Sequence, residues 1–312
     1  MAARPGRPGG AAAAVTHAHH APAAVPALHG AGGHAAAGFD PIILLYLLVA
    51  AGALAYAGLL WRQRALGRGW PLHRSLLFAL GIALVAYGLS PALMAAGHAD
   101  LRVHMTQHML LGMFAPLALV LGQPLTLLLR GLPVPAARRL TRALHAAPLR
   151  WLMHPLTALA LNVGGMYLLY LTPLYAAMLS SGPLHLLVHF HVIAAGFLYT
   201  AVLAGVDPSP LRAPFSWRLG TLLAGAGLHA VLGKLMFAEL YPRGTADSAE
   251  VIEAAARRMY YWGDLAEALL ACVLFWGWLK ARDRQRAREA RDEEARDREE
   301  QQRLQGGAAG AL

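Results

Sequence analysis

Two pairs of histidines at four-residue spacing, His104/His108 and His185/His189, each open a long apolar stretch. On a helix, residues four apart share one face about one turn from each other, so each pair presents two imidazoles together. Imidazole is a common ligand of transition metals, and an ionisable ring at bilayer depth marks a functional site by default. Met105 and Met109 follow the first pair residue by residue, and Met113 lies four further on. Imidazole with thioether is a donor set suited to copper, especially the reduced ion, where thiols are absent. The same methionines also serve as ordinary packing groups. Cys272 is the single cysteine, so no disulfide framework, zinc ribbon or CxxC redox pair can form.

The elements that must position these rings are apolar helices. Of 312 residues, 57% are hydrophobic and 14% charged, too apolar a balance for an ordinary soluble domain. Seven stretches approach the roughly 20 residues that a bilayer requires. They run approximately over Pro41–Trp61, Ser75–Met94, His104–Leu129, Trp151–Leu171, Leu184–Ala204, Leu219–Glu239 and Tyr261–Leu279. The formal charge of +10 invites a nucleic-acid reading, but the arginines fall mostly in short connections between spans. The connections after spans one, three and five carry Arg62, Arg64, Arg68 and Arg74, then Arg130, Arg138, Arg139, Arg142 and Arg150, then Arg212 and Arg218. The opposite connections carry only Arg102, Arg243, Arg257 and Arg258. Positive charge gathers on the cytoplasmic side. The chain is therefore expected to be all-α: a polytopic membrane protein, a seven-transmembrane helix bundle with its N-terminus outside and its C-terminus inside.

This topology makes spans three and five parallel and puts both histidine pairs at the outer surface. His108 and His189 then lie about 6 Å deeper than His104 and His185. If the two helices pack together, four imidazoles can converge. His191, about 200° around the helix from His189, either contacts a neighbouring span or replaces His189 in the site. His229 in span six reads as an interhelical hydrogen-bonding residue or a ligand. Asp264, with Glu267 almost a turn further in, opens span seven at the level of the histidines. Its carboxylate is placed to ligate metal or orient an imidazole, or to pair with Arg257, Arg258 or Lys234. Met94, His98 and Asp100 lie before span three and could form an access route. The methionines Met105 and Met109 complete the candidate metal set.

Outside the expected 40–279 membrane domain lie two tails. Residues 1–39 are rich in Ala, Gly, Pro and His, a composition expected to stay disordered on the outer side. From Lys280 to Arg303, basic and acidic side chains alternate at helical spacing, as in a solvated cytoplasmic helix held by intrahelical ion pairs.

Several activities are excluded. Met105 and Leu186 stand where an HExxH zinc protease needs glutamate. The last span has no mid-membrane lysine to hold retinal, and there is no nucleotide loop or GxSxG elbow.

The run His104-Met-Thr-Gln-His108-Met-Leu-Leu-Gly-Met-Phe-Ala-Pro116-Leu-Ala-Leu-Val-Leu-Gly122-Gln-Pro124 resembles the signature of the polytopic CtaG family of cytochrome c oxidase assembly factors, approximately HMxQHxLLxxxAPxLLxLGxP. His154-Pro155, the segment from His185 to Gly196, Gly205-Val-Asp207-Pro208 and Asp264 resemble the family too, so the likeness covers roughly residues 41–279. It implies a seven-span protein of the bacterial plasma membrane, non-enzymatic, that binds copper and delivers it to haem–copper oxidase subunits. It also implies roles for His104, His108, His185, His189 or His191, and Asp264. The family's Asp-Gln-Gln-Leu-Ala-Gly run is here Asp264-Leu-Ala-Glu267-Ala, so only the aspartate carries over. Competing readings are a haem-binding or electron-transfer protein with one axial histidine from each of two helices, a copper permease, and a scaffold without metal.

Overall fold

The computed structural model describes residues 41–209 and 212–309, with side chains over 43–209 and 212–298. The expectation for residues 1–39 lies outside this range. Every regular element among the described residues is a helix. Of the five described helices long enough and apolar enough to cross a membrane, α1 (Pro41–Ala65) has the highest mean hydropathy and is the least covered: 11% of its span is buried, against 56% for the span Leu101–Gly131. A bundle made for water would hide such a helix. Here Leu44, Leu47, Leu54 and Trp61 face outward, a surface suited to hydrocarbon rather than water. Among the described residues, five helices are long and apolar enough to cross a membrane, or up to seven when each of two bent pairs counts as one span.

The bent pairs change two of the expected spans. The second is broken into α2 (Leu72–Gly88) and α3 (Pro91–Ala99), which meet at 52°. Ser90 caps the new helix through Leu93 N–H and Pro91 occupies its first position, where a missing N–H costs nothing. The fourth begins at Pro155 rather than Trp151: α7 (Pro155–Leu171) is followed at 78° by α8 (Leu174–Ser180). The loop expected between spans four and five is thus partly helical and folds over the histidine-bearing end.

The third span, α4 (Leu101–Gly131), begins earlier than expected because Asp100 caps it, accepting from Arg102 N–H at 2.7 Å. Just past His108 it widens into a π-turn over Leu110–Phe114. Pro116 supplies the cause: it offers no N–H, so a carbonyl of the preceding turn loses its donor and the helix rearranges around it. Gln123, in the left-handed region at φ 53, breaks the helix again before Pro124. Two short helices, α5 (Val134–Leu144) and α6 (Ala147–Leu152), join it to α7.

The fifth span, α9 (Gly182–Ala204), packs directly along α4. Their closest approach is glycine on glycine: a Cβ at Gly196 would collide with the Gly112 carbonyl. Small residues allow helix backbones in a bilayer to meet this closely. His104 faces His189 above this crossing, so the contacts advance together along both chains and the helices run parallel. The sixth span, α10 (Phe215–Glu239), lies against α11 (Ala249–Ala309). The 61 residues of α11 extend about 90 Å at helical rise. Its apolar half passes without a break into an exposed charged half, where Arg298 meets Glu294 at 3.3 Å.

Candidate functional site

Parallel packing of α4 and α9 brings their histidines together as a row. The exposed His98, at the end of α3, stands with its Nε2 3.3 Å from Nδ1 and 3.2 Å from Nε2 of His185. His185 stacks edge-on to His189 with ring centroids 4.3 Å apart, and His189 faces His104 at 6.3 Å. His104, His185 and His189 are 4%, 8% and 5% exposed. His189 Nδ1 lies 3.0 Å from the His185 carbonyl. A carbonyl only accepts, so Nδ1 carries the hydrogen and Nε2 presents its lone pair. This is how a ligating histidine is commonly held, with one nitrogen donating and the other free to bind. His104 Nδ1 is buried without a hydrogen-bond partner among the described residues.

Two tyrosines frame the row. Tyr175, carried by α8, lies edge-on to His104 at 4.9 Å, and Tyr170 contacts both His104 at 6.2 Å and His108 at 5.8 Å. Tyr170 is fully buried and its hydroxyl has no partner among the described residues. His108 lies on the far side of that ring, with Nε2 3.2 Å from Met166 Sδ. The four paired histidines therefore share one region without converging on one point. Among the described residues, no three His, Cys, Asp or Glu side chains surround a common position in a ready-made cage.

His191 turns away, toward the second π-turn, Ala160–Gly164 of α7. Its Nε2 donates to the Leu161 carbonyl at 3.0 Å, so it contacts a neighbouring span instead of replacing His189. Met105 and Met109 are buried at 0% and 3% exposure in the apolar core with Met236 and Met259, where they pack. Gln107 reaches back to the Gly88 carbonyl at 2.6 Å and to Met94 Sδ at 2.7 Å. Asp264 does not join the histidines: its side chain is exposed, and the buried carboxylate of α11 is Glu267. The physical reason is the face of α11 set by Gly263, whose missing Cβ admits the His229 ring. Glu267 Oε1 lies 3.8 Å from His229 Nδ1.

The row also includes residues that the sequence reading valued too little. From the sequence His98 reads as an access residue, because the expected second span ends at Met94, short of the last turn of α3 that carries it. Tyr170 and Tyr175 had no assigned role; their signal was an aromatic pair flanking Pro173, the helix-breaking residue that turns α8 over the row.

Asp100 ties this end together. Its carboxylate pairs with Arg102 at 2.6 Å and that hydrogen-bonded pair holds its pKa below the usual carboxylate range. Asp247, from the segment before α11, accepts from Leu101 N–H at 3.3 Å.

Residues 54–281 match the family described as cytochrome c oxidase caa3 assembly factor (Caa3_CtaG). An uncharacterized protein of Mycobacterium bovis is 38% identical over 188 residues, which are 58% of this chain and 28% of that protein. An uncharacterized protein of Mycobacterium leprae is 33% identical over 202 residues, 62% of this chain and 30% of its own length. The chain thus spans less than a third of the curated relatives it matches. No solved structure matches it.

Proposed function

Because the chain belongs to the cytochrome c oxidase caa3 assembly factor family, we propose that it takes up copper in the row His98–His185–His189–His104 and passes it to an oxidase subunit. The observation that carries this reading is the row itself. Two imidazole nitrogens bound to one metal at roughly 2.0–2.1 Å, at a tetrahedral angle, stand about 3.3–3.4 Å apart. His98 and His185 are separated by 3.2 Å and 3.3 Å, close to that bite. His189, oriented by the His185 carbonyl, supplies the next lone pair along.

An open row suits a carrier. A closed cage of three or four ligands would bind tightly and release slowly, whereas two rings at a time allow the ion to step from one pair to the next. His98 is the exposed end, and His104 the buried one. The distribution of arginines supports an outer location for this end, with the N-terminus outside, the C-terminus inside and the protein in a bacterial plasma membrane. From there, donation needs only that a subunit in the same membrane present a stronger ligand set. The protein acts without catalysis, by ligand exchange.

The test is anaerobic Cu(I) titration of the purified full-length chain against a competing chelator. Wild type retains copper, and His104→Ala and His185→Ala lose it while still eluting as folded protein. Unchanged copper retention in both variants would reject the proposal, and a Soret band on purification would replace it with the haem reading.

A further inference from the structure

Beyond Tyr170, the spans enclose a second space that the copper reading does not use. It is a cavity of about 580 Å³, within the size range of sites for small organic ligands. Its walls are mostly aliphatic, including Leu161, Val188 and Ala195. Leu168 and Leu187 line it too and are 56% and 60% exposed, so the chamber opens sideways, toward the lipid-facing surface.

Of the polar lining groups, Asn162 lies on α7, His191 and Tyr199 already donate to the Leu161 and Thr221 carbonyls, and the others stand at two places. On α10 and α11 are His229, 1% exposed, and Glu267, 8% exposed. On α4 is His108. Neither ring nitrogen of His229 has a hydrogen-bond partner among the described residues, since Glu267 at 3.8 Å is beyond hydrogen-bond range. Leaving both nitrogens of a buried imidazole unmet is costly. Glycine makes the room for it: a Cβ at Gly263 would strike the His229 ring, and one at Gly225 the Tyr199 hydroxyl. The chamber does not hold three His, Cys, Asp or Glu side chains placed for a metal, among the described residues.

We propose that this chamber binds a neutral, lipid-soluble ring compound with oxygens on opposite sides and an apolar tail, the chemistry of a membrane quinone. One oxygen meets His229 and Glu267, and the other faces His108. The tail leaves between Leu168 and Leu187. A neutral head suits the chamber better than an anionic one, because no lysine or arginine among its lining residues could balance a negative charge at this depth. A neutral imidazole gives one donor and one acceptor, which suits a carbonyl or a hydroxyl equally. A simple lipid chain would fill the walls and leave the two polar stations unmatched.

The experiment uses the full-length chain in detergent, freed of copper, with a radiolabelled short-tailed benzoquinone and a fatty alcohol of the same tail. The quinone is expected to bind saturably, at least tenfold tighter than the alcohol. His229→Leu should weaken it about tenfold or more. Gly164→Leu should do the same without touching either polar station, because a side chain added at this lining position points into open space. His104→Ala, in the copper row, should leave quinone binding unchanged, so the two sites are separable. Non-saturable partitioning, equal binding of the alcohol, or full binding by the Gly164 variant would each overturn the proposal.

Discussion

A single backbone carbonyl decides how the row can bind. The His185 carbonyl accepts from His189 Nδ1, which selects the tautomer and aims the remaining lone pair without another side chain. His98 has no such support and is exposed, so it is the exchangeable member. Replacing it with alanine should lower Cu(I) affinity by about tenfold or more with the fold intact, measured by chelator competition. His191 should behave in the opposite way. His191→Leu leaves the Leu161 carbonyl of the α7 π-turn without its donor and should cost about 1–3 kcal/mol in stability, read by detergent unfolding, with copper affinity unchanged. At this scale the sequence showed the paired histidines plainly, since four-residue spacing needs no tertiary knowledge. It did not separate Asp264 from Glu267. Along α11 the apolar residues surround the helix on all sides, so periodicity does not mark the inward face. The deciding contact, Gly263 against His229, joins residues far apart in the chain.

The crossing of α4 and α9 is the element that turns two separate pairs into one row. Gly196 and Gly112 set its depth. Gly196→Val would press a branched side chain into the Gly112 carbonyl and should lower stability by about 1–3 kcal/mol or more, with copper affinity falling in step. Gly112→Ala meets the Val192 side chain at 3.0 Å rather than a backbone carbonyl and should cost less. The pH behaviour belongs to the cap of α4. Arg102 lowers the Asp100 pKa in the folded state, so the pair's stabilisation is fully present above the ordinary carboxylate range. It fades as pH falls through the lowered folded value. Wild type should therefore lose its stability advantage over Asp100→Asn on acidification, in thermal melts followed across that range. The bends in the second and fourth spans were visible only as proline signals, Ser90-Pro91 and Thr172-Pro173. Continuous apolarity on both sides of each hid them, because hydropathy measures what a segment is made of and not its direction.

Across the molecule, the chemistry is placed by burial that runs opposite to that of a soluble protein. The outer face of α1 is leucine for lipid, while His104, His108, His185, His189, Gln107 and Glu267 are inside. The helical class and the apolar spans were legible because composition alone determines them. The row's shape was not, since it depends on α3 and α8 arriving from elsewhere in the chain. The orientation inferred from arginines makes a direct prediction in a Cys272→Ser background. Asp100→Cys should react with an impermeant maleimide in intact cells, and Thr141→Cys, on α5, only after permeabilisation. The reverse pattern would invert the topology. The most direct test of the copper row is X-ray absorption at the copper edge on the Cu(I)-loaded full-length protein, beside His104→Ala and His185→Ala. Imidazole scattering in the wild type that is lost in both variants is the predicted result. A copper shell identical in all three proteins would contradict the account.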